Sequence, residues 1–241
     1  TSLPEAEARR RAGALLLAAS LPNEAELVRE LGGWVGWGDT VDVALLGAAR
    51  KGGLDHKDLR NGFSLVSRIP YEPDRRYAAS LHRHESGIGI FVKGAPETLI
   101  EMCDAMDVNG QTVPIDRQAL LRQRDELAQR GLRVLGFATG DLEAEPTNGL
   151  HHQHLESLVF HGLAAMQDPL RPEVPQAVAD CHRAGIEVAM ITGDDPRTAA
   201  AIAREAGLSF SDDQVVTGHE IRKAEDEGPE ALDRLTRRSL I

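Results

Sequence analysis

The sequence predicts an α/β protein in two parts: an α+β part with an antiparallel sheet, then a part built on parallel strands. Three observations carry that reading. The first half holds short strand-like runs punctuated by turn residues, and Glu85-Ser86-Gly87 joins two of them as a hairpin. The second half alternates strand and helix, an order that requires crossover connections and parallel strands. Between them, residues 141–154 are polar and contain Pro146, Asn148, Gly149 and three histidines, as expected of a surface loop near a domain junction.

Taken in order, residues 6–19 have helix composition. Residues 40–51 form a second helix, stopped by Gly52-Gly53. Residues 63–70 read as a strand, and residues 77–84 and 88–93 flank the hairpin turn. Pro96 suits the first position of a helix over residues 97–104, because its missing N–H would be unpaired there anyway. Asp116 is the N-cap of a helix reaching Arg130, with Gly131 as its stop. Residues 132–139 are another strand. Past the loop, residues 158–166 are an apolar strand ending at Gln167-Asp168-Pro169. A helix over 172–184 closes at Gly185, a strand follows over 186–191, and a helix over 196–206 closes at Gly207. This β-α-β-α order is a Rossmann-like layout. Residues 220–241 are charged and helical, and their apolar end reads as the start of a strand that has been cut off.

Composition narrows the function. A chain of 241 residues fits one large domain or two modest ones. A net charge of −11 argues against a general nucleic-acid binder, whose footprint would be basic. Phosphate ligands stay open, because local cations and backbone N–H groups can build a positive pocket in an acidic protein. Cys103 and Cys181 lie far apart and read as reduced core thiols, each on the inner face of a helix. No stretch approaches the ~20 apolar residues of a membrane span, and residues 13–21 lack a cleavage pattern after them, so the chain reads as soluble.

Two motifs suggest phosphate chemistry. Met190-Ile191-Thr192-Gly193-Asp194 delivers a hydroxyl, a bare backbone and a carboxylate to a strand tip, ahead of a helix N-terminus. In open α/β sheets ligands bind there. Gly-Asp is also ordinary turn chemistry. Asp168-Pro169-Leu170-Arg171 at the end of the preceding strand shifts the balance, since adjacent parallel strands would aim both sets into one crevice. Upstream, Lys93-Gly94-Ala95-Pro96-Glu97 places an ammonium at a strand end with open space beside Gly94. Tyr71, one of few aromatics, can stack on a base or simply cap the sheet, and Arg76 can offer charge to phosphate. His151-His152-Gln153-His154 lacks the spaced partners of a tetrahedral metal site and reads as a solvated loop.

Taken together and in this order, the motifs resemble the cytoplasmic part of a P-type cation-transporting ATPase over nearly the whole chain. Leu21-Pro-Asn-Glu-Ala25 resembles an early Cys-Asn-x-Ala segment, and Gly38-Asp39-Thr40-Val41-Asp42 resembles Gly-Asp-Pro-Thr-Glu. Lys93-Gly94-Ala95-Pro96-Glu97 matches the family's box outright. Asp168-Pro169-Leu170-Arg171 resembles Asp-Pro-Pro-Arg, and Thr192-Gly193-Asp194 matches a motif shared with haloacid-dehalogenase-like phosphohydrolases. Tyr71 stands where the family has a stacking Phe, Arg76 where it often has Lys, and Asp42 is one methylene shorter than the usual Glu.

The resemblance implies a nucleotide-binding domain over residues 1–155 and a partial, haloacid-dehalogenase-like phosphorylation domain over 156–241. Tyr71 and Lys93 with Gly94 would surround adenine, with Asp42 accepting from its amino group. Arg76 and Arg133 would neutralise phosphates. Thr192, Gly193 and Asp194, supported by Asp168 and Arg171, would meet the γ-phosphate. The Asp-Lys-Thr-Gly-Thr nucleophile segment and the Gly-Asp-Gly-x-Asn-Asp motif that helps hold Mg²⁺ are missing. The chain is therefore expected to bind ATP without turnover, as the cytoplasmic portion of a membrane pump, calcium-type by its motifs. Its partners would be the membrane helices, the actuator domain and the rest of the phosphorylation domain. A soluble haloacid-dehalogenase-like phosphatase and a nucleotide-sensing module without turnover are the alternatives.

Overall fold

In the computed structural model, which describes residues 5–167, 170–192 and 196–238, the chain opens with helix α1 (Glu5–Ser20). An antiparallel hairpin follows, β1 (Glu26–Glu30) and β2 (Gly33–Trp37). Asp39 then caps α2 (Thr40–Lys51). Its side chain accepts from the backbone N–H groups of Val41 and Asp42, two donors that the first turn cannot pair within the helix. Next come α3 (His56–Gly62), β3 (Ser64–Glu72), β4 (Tyr77–His84) and β5 (Gly87–Gly94). Pro96 occupies the first turn of α4 (Pro96–Met102). The chain continues through β6 (Cys103–Val108), β7 (Gln111–Pro114), α5 (Arg117–Gln129), β8 (Arg133–Leu142) and β9 (Leu158–Met166). Four helices complete it: α6 (Val174–Arg183), α7 (Pro196–Glu205), α8 (Gly218–Glu227) and α9 (Pro229–Arg238).

Seven strands form one mixed sheet in the order β3-β4-β5-β8-β9-β6-β7. The pairs β3/β4, β4/β5, β5/β8 and β6/β7 are antiparallel, while β6 and β9 run parallel. Residues alternate between faces along a strand, yet β4 and β5 are buried at nearly every position, so both faces of the sheet are covered. On one face Tyr77, Ala79, Leu81, Ile90 and Val92 pack with Leu99 and Ile100 of α4, Leu120 of α5, and Leu155. The alternate residues Ala78, Ser80, His82, Phe91 and Lys93 are buried on the other face. There the end of α1 meets β4, as the Leu21 backbone reaches His82, and α2 meets β5, as Asp42 reaches Lys93.

Contacts divide the chain into two compact units. One comprises the residues up to Arg124 with Val134–Ala164, and the other Asp125–Arg133 with the residues from Ala165 on. Within the second, Val178 of α6, Ala203 of α7 and Leu208 form a small core lined by Val174, Val188, Met190 and Phe210.

The sequence expectations differ from this structure at several places. Residues 186–191 form no strand among the described residues, and Ile186 and Ile191 are 56% and 98% exposed. A strand is held by its neighbour's ladder. β9, expected beside it, instead pairs with β6 in the large sheet. The Rossmann-like layout is therefore not seen among the described residues, where β6/β9 is a parallel pair. Cys103 lies not on a helix but at the start of β6, fully buried, with its thiol pushed up to about 12 by desolvation. Residues 26–37 and 103–114 fold as hairpins, and residues 56–62 as a helix, that the sequence reading passed over. The histidine loop is also tied down. His152–His154 make a 3-10 turn, and the Tyr77 hydroxyl bonds His152 Nδ1.

Candidate functional site

The site grows from the N-terminus of α2. Asp39 fixes the first turn, which aims Asp42 at the sheet. Asn23 holds the segment before the hairpin against that turn. Its side-chain amide donates to the Asp42 carbonyl at 2.9 Å, and its carbonyl oxygen accepts from Ala25 N–H at 2.9 Å. One Asp42 carboxylate oxygen accepts from Glu24 N–H at 3.3 Å, and the other accepts from Lys93 Nζ. The Glu24 carboxylate in turn takes a hydrogen bond from Arg68 at 3.0 Å.

Lys93 reaches this pair from near the end of β5, flanked in the ladder by Ala78 of β4 and Phe137 of β8. Its side chain is only 9% exposed, and that of Asp42 17%. Desolvation pulls the ammonium below its ordinary range, opposed by the hydrogen bond and charge of Asp42 and then by Asp39 and Glu24. The result is a shielded ammonium–carboxylate pair, able to meet a ligand edge that carries both an acceptor and a donor.

Gly94 does not leave the open space expected on its Cβ side. A Cβ there would lie 2.5 Å from the Arg76 carbonyl oxygen and 2.6 Å from Tyr77 Cβ. The glycine lets Tyr77 lie across β5 and reach His152, so a ligand would have to approach from the Lys93 face. Arg76 sits in the β3–β4 turn with φ +60°, its backbone N–H donating to Glu72 O at 2.7 Å. Its guanidinium goes to Glu97 on α4 at 2.7 Å, and Arg124 approaches the same carboxylate at 3.6 Å. Lys93 and Arg76 thus serve opposite sides of the sheet. Tyr71 lies where the β3 register slips between Ile69 and Glu72, and it is 57% exposed.

Of the residues singled out in the sequence, Asp42 and Lys93 are brought together. Arg133 at the head of β8, Arg171 and Thr192 are each exposed. Asp168, Gly193 and Asp194 lie outside the described residues. Sequence reasoning quoted Asn23, Glu24 and Glu97 within motifs but gave them no role in the constellation. An Asn three residues before a strand, followed later by an N-cap Asp, was the available signal for the first.

A family model described as P-type ATPase, cytoplasmic domain N, matches residues 11–173. The chain is 39% identical over 224 residues to a probable cation-transporting ATPase F of Mycobacterium tuberculosis, covering 90% of this chain and 25% of that protein. It is 40% identical over 202 residues to a cation-transporting ATPase of Synechocystis, covering 83% and 22%. Identity to a calcium-transporting ATPase of Listeria monocytogenes is 32% over 187 residues, covering 76% and 21%. The chain thus spans a quarter or less of the length of these relatives.

Proposed function

We propose, from the premise that the chain belongs to the P-type cation-transporting ATPases, that it is the ATP-binding cytoplasmic portion of a cation pump. The observation that carries the reading is the shielded Lys93–Asp42 pair on the α2 face of the large sheet. It joins the box and the α2 motif, whose resemblance to the family implies its nucleotide site. An adenine amino group can donate to Asp42, while the base lies against the Lys93 stem and the bare backbone of Gly94. Tyr71 is exposed and would stack on the base. Arg76 faces α4, so its guanidinium would have to leave Glu97 and swing around the strand ends to meet phosphate, a loss kept small because that ion pair is half-exposed.

In this reading residues 1–155 are the nucleotide-binding domain and 156–241 part of the phosphorylation domain. The latter would become a Rossmann-like, haloacid-dehalogenase-like sheet once further strands flank residues 186–191. Arg133 would neutralise phosphates, and Asp168, Arg171, Thr192, Gly193 and Asp194 would support the γ-phosphate. The parent enzyme would use ATP with Mg²⁺ and pass the phosphoryl group through an aspartyl phosphate to drive transport. Calcium is the proposed cation, in line with the Listeria relative's name. By itself the chain binds nucleotide without turnover.

Calorimetric titration with ATP tests this. Wild type should bind, and Lys93→Ala should lose about tenfold or more, equivalent to ~1.4 kcal/mol. Circular dichroism establishes that the variant is folded, and a Lys93→Arg variant serves if it is not. Equal affinity in wild type and a folded Lys93 variant removes the proposed site.

A further inference from the structure

Lys93 shares its face of the large sheet with a second cation, Arg68 of β3. Arg68 pairs with Ser80 in the β3–β4 register, and Ser80 pairs with Phe91 in the β4–β5 register. Residues opposite one another in an antiparallel ladder share a face, and side chains alternate along a strand. Arg68 therefore stands with Ser80, Phe91 and Lys93 on the α2 face, while its neighbour Ile69, paired with Ala79, goes to the core on the other side. The contacts agree. The Arg68 guanidinium donates to the Glu24 carboxylate at 3.0 Å, Glu24 N–H donates to Asp42 at 3.3 Å, and Asp42 accepts from Lys93. Lys93, Asp42, Glu24 and Arg68 form one row of alternating charge.

The row is graded in exposure. The Lys93 side chain is 9% exposed, whereas those of Arg68 and Glu24 are 53% and 59% exposed. β3 ends the strand order of the sheet and β5 lies two strands in, so the two cations rise from strands roughly 10 Å apart. A purine on the Lys93 stem, with its ribose and phosphates, can span that separation. The shielded end suits an uncharged ring, and the open end suits a charged chain that keeps part of its hydration. A guanidinium also fits phosphate better than an ammonium does, because its planar fork offers two parallel N–H···O bonds. Arg76 is turned to α4, but Arg68 already stands on the ligand's side of the sheet. Its ion pair is half-exposed, so giving up Glu24 costs little and returns the carboxylate to water.

We propose that Arg68 binds the phosphates of the nucleotide, and that Glu24 occupies its guanidinium until those phosphates displace the carboxylate. This assignment rests on the nucleotide reading above and adds to it one cation and one internal competitor.

The test is titration of the whole chain with ATP and with adenosine. Arg68→Ala should weaken ATP binding by about tenfold and leave adenosine binding as it is, and Arg68→Lys should recover part of the loss. Glu24→Gln removes the competing charge and keeps the backbone N–H that Asp42 accepts from. It should tighten ATP binding by about two- to fivefold, and that gain should vanish when Arg68→Ala is added. Circular dichroism checks folding, and Arg68→Gln serves should Arg68→Ala not fold. Unchanged ATP affinity in the Arg68 variant, alongside the loss in Lys93→Ala, overturns this assignment and leaves the nucleotide site standing. Equal losses of ATP and adenosine would make Arg68 a structural residue and overturn it as well. A wild type that binds neither ligand overturns the nucleotide reading, and this assignment with it.

Discussion

Two cations flank Gly94, and the protein treats them in opposite ways. Lys93 turns to the α2 face, where its side chain is 9% exposed and its partner Asp42 17%. Arg76, beside Gly94 across the β4–β5 edge, turns to α4, with its side chain 52% exposed and Glu97 31%. Both are close ion pairs, but burial separates their energetics. In water-excluded surroundings a charge without its partner has nowhere to go, whereas a half-exposed one is solvated at once. The Lys93 pair should therefore be structural as well as binding, and the Arg76 pair nearly dispensable to the fold.

The largest effect should come from removing one member of the buried pair. Asp42→Ala strands a desolvated ammonium and should cost about 3 kcal/mol in urea unfolding. Replacing both, as Asp42→Leu with Lys93→Met, should cost clearly less than the two single changes added together, because no charge is left alone. Additive losses would mean that the pair is solvated, and the contrast with Arg76 would fall.

Next in size is Gly94→Ala. The added methyl meets the Arg76 carbonyl and the Tyr77 backbone, neither of which can swing aside, so strand β4 must shift at a cost of ~1–3 kcal/mol. The sequence made this glycine legible as a requirement but not its reason. Residue type alone cannot tell a glycine that admits a ligand from one that admits a neighbouring side chain. The same limit runs through the fold. The cap at Asp116, the stop of α2 at Gly52 and the hairpin at Gly87 are local, and they stand where the sequence put them. The partner of β9 is not local. An apolar run ending in Asp168-Pro169 reads the same whether it opens a new sheet or joins β6, more than fifty residues upstream. Likewise Asp42 and Lys93 were each legible as motif residues, but their direct pairing depends on how α2 lies on the sheet, which no spacing in the chain encodes.

A shallower effect is expected with pH, on the α1–α2 face that buries Lys93. His82 is buried there, with Phe63 O beside Nδ1 and Ser80 Oγ beside Nε2. Hydrogen bonds to the Phe63 and Leu21 backbone favour the charged ring, and burial outweighs them. Burial lowers its pKa from the ordinary 6.5, and His161, beside Thr139 and Asp107, is lowered by burial as well. As pH falls below 6.5 the unfolded chain takes up protons that the folded rings resist, so stability present at neutral pH is lost on acidification. Urea midpoints should drop from pH 7.5 toward pH 5.5, and His82→Gln should flatten that slope. An unchanged slope in the variant would place the proton uptake elsewhere.

The smallest effects belong to Arg76, and they decide whether its side chain is held for the fold or for a ligand. Arg76→Ala removes a half-exposed ion pair, for which about 0.2–1 kcal/mol is expected. Arg76→Gly removes the same pair but also relieves a backbone held at φ +60°, a region that costs an L-residue ~1 kcal/mol and glycine almost nothing. The two terms are of similar size and opposite sign, so Arg76→Gly should unfold close to the wild-type urea midpoint and above Arg76→Ala. A chain that keeps an arginine where glycine would hold the turn as well retains it for its guanidinium. If that group serves phosphate, both variants should bind ATP more weakly by a similar factor despite their different stabilities, while adenosine binding stays unchanged. Loss of ATP affinity that instead followed stability would make Arg76 a structural residue, and the two cations beside Gly94 would differ only in burial.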